Sequence, residues 1–275
     1  MSELKFSVSM CVYGKDNPQH FKTAVDSILN QTAPPDEVVL VVDGPVPAEL
    51  DSVISEYEAL EQFNVIRLAE NQGHGNARRI GLEACRNELV AIMDADDISC
   101  NDRFEKQLNF FVNNKEVSIV GGNIVEFIES IENVVGKRNV PSNDSEIKDY
   151  LKKRCPMNLV TVMFKKSKIN EVGGFIDWYC EEDYYLWIRM ALADMKFANT
   201  GDILVNVRVG EEMYSRRGGW KYFKSEAKLQ GFMLKKKIIS FATYFMNVNK
   251  RLVVQVLLPN KLRGWVFKKF AREKE

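Results

Sequence analysis

The sequence has few cysteines, no long apolar run and no excess of either charge. Its five cysteines form an odd set without C-x-x-C spacing, which argues against a disulfide framework and a zinc site and favours a reducing compartment. No window reaches the roughly 18 to 20 uninterrupted apolar residues of a membrane span, and the first residues lack the apolar core of a signal peptide. Because 38 basic residues balance 38 acidic ones, total charge gives no reason to expect a nucleic-acid partner. We therefore expect a cytoplasmic protein.

The overall balance of charge hides an asymmetry along the chain. From Arg216 to the end there are 16 Lys and Arg residues against 3 Asp and Glu residues, a net charge of +13, and the preceding part has a net charge of −13. Aromatic residues and leucines are interleaved with these cations, and Leu252 to Leu258 is apolar but too short to span a bilayer. Such a basic amphipathic region suits an anionic cytoplasmic leaflet. The alternative is a C-terminal helical subdomain that packs on the core and solvates its basic face.

Short apolar runs alternate with segments of helical periodicity in the first hundred residues. The predicted strands are Phe6 to Val12, Val38 to Val42, Val65 to Leu68 and Leu89 to Met93. This alternation predicts an open, largely parallel sheet with helices on both faces. In such sheets ligands bind beyond the carboxyl ends of the strands.

The pattern becomes less regular after Asn114. We predict strands near Val117 to Gly121 and at Leu159 to Phe164, a loop over Arg138 to Ser145 and a helix over Tyr184 to Leu192. No internal repeat or low-complexity segment is present. The chain therefore looks like one large α/β domain followed by the basic region.

Three carboxylates are packed into the four residues Asp94 to Asp97, directly after the apolar strand Leu89 to Met93. They repel one another, so the cluster is favourable only where it is solvated, caps a helix or faces a cation. One possibility is that Asp96 or Asp97 caps a helix that begins near Asp102. The position at the carboxyl end of a buried strand instead favours oxygen ligands for Mg²⁺ or Mn²⁺.

A second acidic cluster, Glu181 to Asp183, precedes an aromatic-rich amphipathic helix. Acidic residues are favourable at the positive end of a helix dipole, which by itself explains the cluster. Together with a metal site, however, such a carboxylate can deprotonate an acceptor hydroxyl while the cation stabilises a departing phosphate. Asp43, which Gly44 follows, and the loop Asn71 to Gly75 before Arg78 also lie beyond strand ends. Four loops from one edge would then converge on one pocket.

Taken in order along the chain, these segments resemble the family-2 glycosyltransferases of the GT-A fold. The matching segments are Ser9 to Tyr13, Ser27 to Thr32, Val41 to Gly44, Asn71 to Gly73, Ala77 to Arg78, Asp94 to Asp97, Gly173 to Phe175 and Glu182 to Trp187. Downstream, Val207 to Gly219 looks like the bacterial enzymes of O-antigen, capsule and amylovoran assembly. The resemblance implies a nucleotide-sugar transferase domain of the GT-A fold over residues 1–219. Residues 220–275 would form a basic amphipathic helical extension at the membrane.

The same resemblance implies a role for each matching side chain. Binding of the nucleotide sugar would involve Cys11, Val12, Tyr13, Asp43, Asn71, Arg78, Asp94 and Ala95. Asp94 and Asp96 would hold Mn²⁺ or Mg²⁺, and Asp183 would be the catalytic general base. The acceptor would be contacted by Glu182, Trp187, Arg216 and Arg217. A carboxylate opposite the diphosphate leaving group implies inversion, so an α-linked donor would give a β-linked product.

The expected reaction moves a hexose from UDP-glucose or UDP-galactose to a lipid-pyrophosphate-linked sugar, such as GlcNAc-pyrophosphate-undecaprenol. It would take place at the cytoplasmic face of the inner membrane, with the protein bound peripherally. Two other classes of protein remain as alternatives. A sugar nucleotidylyltransferase is disfavoured because no G-x-G-T-R-type loop lies near the N-terminus. A noncatalytic nucleotide-sugar-binding protein would not need Asp183.

Overall fold

The computed structural model of the protein describes residues 4–210 and 218–259, and nine strands of these residues form one sheet. The strands are β1 (Phe6–Tyr13), β2 (Glu37–Asp43), β3 (Phe63–Arg67), β4 (Leu89–Asp94), β5 (Ile98–Ser99), β6 (Val117–Phe127), β7 (Val134–Arg138), β8 (Met163–Lys165) and β9 (Lys196–Arg208). The helices are α1 (Pro18–Leu29), α2 (Ala48–Glu58), α3 (His74–Ala84), α4 (Arg103–Asn113), α5 (Asp144–Leu151), α6 (Lys166–Glu171), α7 (Glu182–Leu192), α8 (Trp220–Lys235) and α9 (Phe241–Leu252). The strand order is β3-β2-β1-β4-β8-β6-β9-β5, and β7 pairs with β6.

The first half of the sheet is parallel. β1 lies between β2 and β4, and β2 pairs with β3, with all four strands running in the same direction. Every residue of β2 is buried, as expected for a strand that is covered on both faces. These strands confirm the prediction of a parallel, doubly covered sheet in the first hundred residues.

The second half of the sheet mixes strand directions. β8 pairs antiparallel with both β4 and β6, whereas β9 runs parallel to β6. β7 and β5 add short antiparallel pairings to β6 and β9. β6 is 11 residues long and buried throughout, which makes it the centre of this half. The prediction of a mostly parallel sheet therefore holds for the first half, and the sheet as a whole is mixed.

The segment predicted as one strand over Leu159 to Phe164 consists of two shorter pieces. It begins with a 3-10 turn, Leu159–Thr161, and only Met163–Lys165 joins the sheet. The hydroxyl of Thr161 donates to the carbonyl of Asn158 at 2.7 Å. Such a local bond competes with a strand ladder, which explains the turn.

The segment Arg138 to Ser145, predicted as a loop, is bounded by regular structure on both sides. β7 ends at Arg138, and α5 begins at Asp144. Asn143 caps this helix, since its side chain accepts a hydrogen bond from the backbone N–H of Glu146 at 3.0 Å. The polar residues that suggested a loop therefore include the start signal of a helix.

Buried apolar side chains form a separate cluster on each face of the sheet. One cluster joins β1 and β4 to α1, α2 and α4, with Phe21, Ile54 and Phe104 fully buried. The other includes side chains of α3, α5, α6, α7 and α8, and Trp187 is fully buried among them. Helices therefore cover both faces of the sheet, as predicted.

The C-terminal helices pack on the rest of the protein. Leu229 and Met233 of α8 are fully buried in the same cluster as Trp187. α9 packs on α8, and its Asn247, which is 7% exposed, donates a hydrogen bond to the carbonyl of Lys152 at 3.0 Å. The region after residue 219 is therefore fastened to the large domain by both apolar and polar contacts.

The outer side of the C-terminal region exposes large apolar side chains. Phe241, Phe245 and Met246 of α9 are 69%, 59% and 53% exposed, and Val253 and Leu257 beyond the helix are also exposed. We call these five side chains the outer apolar face. None of the helices in the described parts of the chain has the length and apolar character that a bilayer span requires.

Candidate active site

The carboxyl ends of β1, β2 and β4 bring several predicted site residues to one edge of the sheet. The strand register places Tyr13 beside Asp43 and Cys11 beside Asp94, and the side chain of Val12 is buried in the core. Burial raises the pKa of Cys11 to about 12, and the charges of Asp94 and Asp43 add to this effect. These residues therefore share one electrostatic environment, at the edge where α/β sheets bind ligands.

The carboxylate of Asp43 organises the loop before α3. Its two oxygens accept hydrogen bonds from the backbone N–H groups of Gln72 at 2.7 Å and Gly73 at 3.1 Å. The exposed Asn71 donates from its side chain to the carbonyl of Asp43 at 3.1 Å. Gly44 has a φ of +87° and lies so close that a Cβ would meet the backbone nitrogen of Asn71 at 2.6 Å. The two loops form one unit, and each oxygen of Asp43 keeps a second lone pair for a ligand.

Arg78 connects the two acidic segments of the site. It lies on α3 and is 5% exposed, and its guanidinium donates to Asp94 at 3.0 Å and to Glu182 at 2.6 Å. Burial by itself would lower the pKa of Arg78, but these two carboxylates and that of Asp183 raise it above its ordinary value. The sequence predicted Arg78 near the nucleotide, but not its connection between the end of β4 and the start of α7.

Negative charge accumulates around the Asp-rich segment, residues 94–97. Asp94 is partly exposed and Asp96 is exposed, whereas Asp97 is 3% exposed. Burial, followed by the charges of Asp96 and Asp94, raises the pKa of Asp97 well above its ordinary value. Burial and the same two charges raise the pKa of Asp16, in the loop after β1, to about 6. Repulsion of this kind is relieved by a divalent cation.

Asp97 ties the Asp-rich segment to β9. Its Oδ1 accepts a hydrogen bond from the backbone N–H of Arg208 at 2.8 Å, and the Nε of Arg208 donates to the carbonyl of Asp96 at 3.1 Å. The N-cap of α4 is Asp102, which makes no side-chain capping bond, and the helix begins at Arg103. The possibility that Asp96 or Asp97 caps this helix is therefore wrong, because Asp102 occupies the cap position.

Asp94 and Asp96 are the candidate metal ligands of the segment. The described residues contain no group of three or more His, Cys, Asp or Glu side chains that could hold a metal ion. Mg²⁺ is commonly bound by one or two carboxylates together with substrate phosphates, so two accessible carboxylates fit that donor set. Ala95 between them is 6% exposed and anchors the segment in the core.

Asp183 lies at the start of α7, beside a thiol and near two arginines. Its Oδ1 accepts a hydrogen bond from the backbone N–H of Tyr184 at 2.6 Å, and its Oδ2 lies 3.7 Å from the Sγ of Cys155. Burial raises the pKa of Asp183 above its ordinary value, although the Tyr184 N–H and then Arg78 and Arg138 act in the opposite direction. A raised pKa makes a carboxylate a better proton acceptor near neutral pH.

The residues of α7 that were predicted to contact an acceptor are largely buried. Glu182 is 8% exposed and is engaged by Arg78, and burial raises its pKa. Trp187 is 0% exposed and packs in the apolar cluster, so its ring has no surface to offer to an acceptor and serves the core instead. The two other predicted acceptor contacts, Arg216 and Arg217, lie outside the described residues.

The sequence profile of the family described as Glycosyl transferase family 2 matches residues 7–173. The chain belongs to this family. Over 268 residues the transferase is 38% identical to a UDP-Gal:alpha-D-GlcNAc-diphosphoundecaprenol beta-1,3-galactosyltransferase of Escherichia coli, covering 98% of this chain and 97% of that protein. Over 264 residues it is 33% identical to an amylovoran biosynthesis glycosyltransferase of Erwinia amylovora, covering 96% of this chain and 98% of that protein.

The fold of the transferase is shared with a mannosyltransferase from Pyrobaculum calidifontis that was solved in complex with GDP-Man and Mn²⁺. The two structures superpose with a TM-score of 0.63 at 14% identity, covering 94% of this chain and 71% of the other. At this identity the similarity establishes the fold alone. The GT-A fold class and the prediction of a glycosyltransferase are confirmed. Family membership sets aside the alternatives of a nucleotidylyltransferase and a noncatalytic binding protein.

Three neighbours of the site were not predicted from the sequence: Asp16, Cys155 and Arg208. Asp16 carried a usable signal, because it follows the first strand at the edge where ligands were expected. Cys155 had no such signal, and Arg208 lay in the segment Val207 to Gly219, whose resemblance gave it no role at this edge. Cys155 is 28 residues from Asp183 in the chain, and Arg208 is 111 residues from Asp97, so no local spacing links either pair.

Proposed function

We propose that the transferase moves a hexose from UDP-galactose or UDP-glucose, with inversion, to a sugar linked through pyrophosphate to a lipid such as undecaprenol. The observation behind the proposal is Arg78, which joins Asp94 at the donor edge to Glu182, the neighbour of Asp183. A carboxylate suited to the donor and one beside the proposed base thus share one guanidinium. The name of the Escherichia coli relative includes a GlcNAc-diphosphoundecaprenol acceptor, which supports a lipid-linked acceptor here. The name of the Erwinia amylovora relative includes amylovoran biosynthesis, which supports a role in bacterial surface polysaccharide assembly, such as that of O-antigen or capsule.

Asp183 acts as the general base. Its ionised carboxylate accepts the proton of the acceptor hydroxyl while the hydroxyl oxygen forms a bond to the anomeric carbon of the donor. The bond from that carbon to the diphosphate breaks, and the nucleoside diphosphate leaves with the bonding electrons. Attack from the face opposite the leaving group turns an α-linked donor into a β-linked product.

The donor lies along the strand edge. The backbone of Cys11 to Tyr13, together with Asp43 and Asn71, contacts the nucleotide, and Asp94 and Asp96 would hold Mn²⁺ or Mg²⁺. A cation bound there would offset the charge of the diphosphate and the charge that develops as it leaves. The accumulated negative charge around residues 94–97 supports this assignment, since the diphosphate would otherwise be repelled.

The transferase works as a peripheral protein at the cytoplasmic face of the membrane. The outer apolar face presents aromatic and aliphatic side chains, and cations lie close to it in the sequence, at Lys235 to Lys237 and at Lys250. This combination suits an anionic lipid surface, which is also where a lipid-linked acceptor is found. The C-terminal region can pack on the core and bind lipid at the same time. The buried sides of α8 and α9 contact the core, and the outer apolar face lies on the other side. Contact of Arg216 and Arg217 with the pyrophosphate of the acceptor stays a prediction.

The Asp183→Asn variant tests the proposed function. The amide keeps the shape of the side chain but cannot accept a proton, so turnover should fall by about 10² to 10⁴ while UDP affinity, measured by calorimetry, stays nearly unchanged. The assay follows transfer from labelled UDP-galactose or UDP-glucose to a synthetic GlcNAc-pyrophosphate-lipid with Mn²⁺ present. Asp194→Asn, at a carboxylate that is 87% exposed, is the matched control. Wild-type turnover in Asp183→Asn would exclude this carboxylate as the base.

A further inference from the structure

Residues 152–155, which follow α5, include a side chain that touches the proposed base. The hydroxyl of Tyr184 on α7 donates to the carbonyl of Leu151, at the end of α5. The Nη2 of Arg138 on β7 donates to the carbonyl of Cys155 at 2.7 Å. The segment is therefore fixed both by the helix that begins at the base and by the sheet.

The thiol of Cys155 has two possible acceptors. Its Sγ lies 3.7 Å from the Oδ2 of Asp183 and 3.5 Å from the carbonyl oxygen of Met157. Burial and the charge of Asp183 raise the pKa of this thiol well above its ordinary value, so it keeps its proton at neutral pH. A thiol has one proton and donates to one acceptor at a time. A charged acceptor forms a stronger hydrogen bond than a neutral one. The thiol should therefore donate to the ionised carboxylate of Asp183 and not to the carbonyl of Met157.

Side chains of α9 also form hydrogen bonds to the backbone of residues 152–155. The side chain of Asn247 on α9 donates to the carbonyl of Lys152 at 3.0 Å, and the Nη2 of Arg251 donates to the carbonyl of Lys153 at 3.1 Å. Arg251 in turn forms an ion pair with Glu226 of α8 at 3.0 Å, and these two side chains are only 14% and 12% exposed. Two consecutive carbonyls of the segment thus have their partners on α9.

We propose that Cys155 is a positioning residue of the acceptor site, whose thiol donates to the ionised carboxylate of Asp183, and that α9 fixes the segment presenting this thiol. The inference rests on the proposed role of Asp183 as the base. When Asp183 takes up the proton of the acceptor hydroxyl, the thiol keeps its own proton and turns to the carbonyl of Met157. The thiol therefore restrains the carboxylate before the reaction and releases it afterwards, without reacting itself.

Other charged groups also act on Asp183. Arg78 on α3 and Arg138 on β7 favour its ionised form, while Glu181 and Glu182 at the start of α7 oppose it. These four groups remain when the thiol is removed. A change in the pH profile of a thiol variant therefore reports the loss of the thiol hydrogen bond.

The Cys155→Ala and Cys155→Ser variants separate hydrogen bonding from packing. Alanine removes the donor, so kcat should fall about fivefold with the donor KM unchanged. The acidic limb of the kcat/KM profile should also move to higher pH, because the ionised carboxylate loses a hydrogen bond. Serine supplies a hydroxyl donor and should return both readouts toward the wild type.

Two outcomes separate failure of this inference from failure of the proposed function. A wild-type kcat and pH profile in Cys155→Ala, together with an inactive Asp183→Asn variant, would overturn the positioning role and leave the base in place. An active Asp183→Asn variant would overturn the proposed base, and the inference with it.

The contribution of α9 is tested by Asn247→Ala, with Asn249→Ala on the same helix as the control. Asn249 is exposed, and its side chain donates to the carbonyl of Phe245 within its own helix. Asn247→Ala should lower kcat and shift the acidic limb in the same direction as Cys155→Ala, and Asn249→Ala should change neither. Because Asn247 acts through the thiol, its effect should not add to that of Cys155→Ala in the double variant. Additive effects, or a change in the thermal midpoint alone, would overturn the link.

Discussion

Replacing Arg78 by methionine should destabilise the protein strongly, whereas the same change at Arg79 should not. The two residues are adjacent on α3, but their side chains are 6% and 41% exposed. Arg78 joins Asp94 to Glu182, while Arg79 pairs with Glu83 one turn further along the helix. Methionine keeps an unbranched apolar stem and a high helix propensity and removes the guanidinium group with its charge and donors.

The size of the effect follows from the burial of the two carboxylates. The side chain of Glu182 is 11% exposed and would remain buried without a partner, whereas that of Asp94 is 33% exposed and can be hydrated again. Removing one partner of a buried ion pair costs about 3 to 5 kcal/mol, and counting Glu182 alone gives about 3 kcal/mol. An exposed i,i+4 pair contributes about 0.3 to 0.5 kcal/mol. At about 2 to 4 °C per kcal/mol, Arg78→Met should lower the Tm by about 6 to 12 °C and Arg79→Met by about 1 to 2 °C.

Urea unfolding, followed by tryptophan fluorescence, gives the free energy of unfolding of both variants. Differential scanning fluorimetry gives their Tm. The Arg78→Met/Glu182→Gln double variant should recover part of the loss, because it no longer buries a charge without its partner. If the unfolding free energies of Arg78→Met and Arg79→Met agree within about 1 kcal/mol, the buried ion pairs of Arg78 do not stabilise the fold.

Three other predictions concern the metal, the membrane and pH. Asp96→Ala should weaken UDP binding in Mn²⁺ and remove most turnover, because the diphosphate is then repelled, and undiminished activity in EDTA would contradict the metal assignment. Replacing Phe241 and Phe245 by serine should reduce sedimentation with vesicles that contain phosphatidylglycerol. The reduction should be larger at high salt, because salt screens the attraction of the cations and leaves the apolar contacts as the main contribution. The exposed Leu192→Ser is the control, and equal sedimentation of all three proteins would show that the outer apolar face does not bind lipid. The raised pKa of Asp16 makes the folded state bind more protons than the unfolded chain between about pH 4 and 6, so the free energy of unfolding falls as pH rises through this window. In EDTA the Asp16→Asn variant should lose less stability than the wild type across that window. Parallel curves of unfolding free energy against pH for the two proteins would show that Asp16 is not the group that titrates there.

The first half of the fold could be predicted because its signals are local. β1, β2 and β4 are short apolar runs, and the polar residues that follow them mark the ligand edge directly in the sequence. The surroundings of Asp183 could not be predicted in this way. The partner of its Oδ2 comes from the segment after α5, and Trp187 is buried in a cluster that includes side chains of α8 more than 40 residues further along the chain. Both depend on tertiary packing, which local periodicity does not encode.

The family profile ends at residue 173, whereas the second apolar cluster extends to α8. Leu229 and Met233 belong to the same cluster as Trp187, so a fragment that stops at residue 219 would expose this cluster and should aggregate. We therefore expect the smallest autonomously folding unit to extend beyond the residues that the family profile matches. It follows that the C-terminal helices are not an interchangeable module. A chimera that takes α8 and α9 from one relative must also take the side chains of α7 that face them.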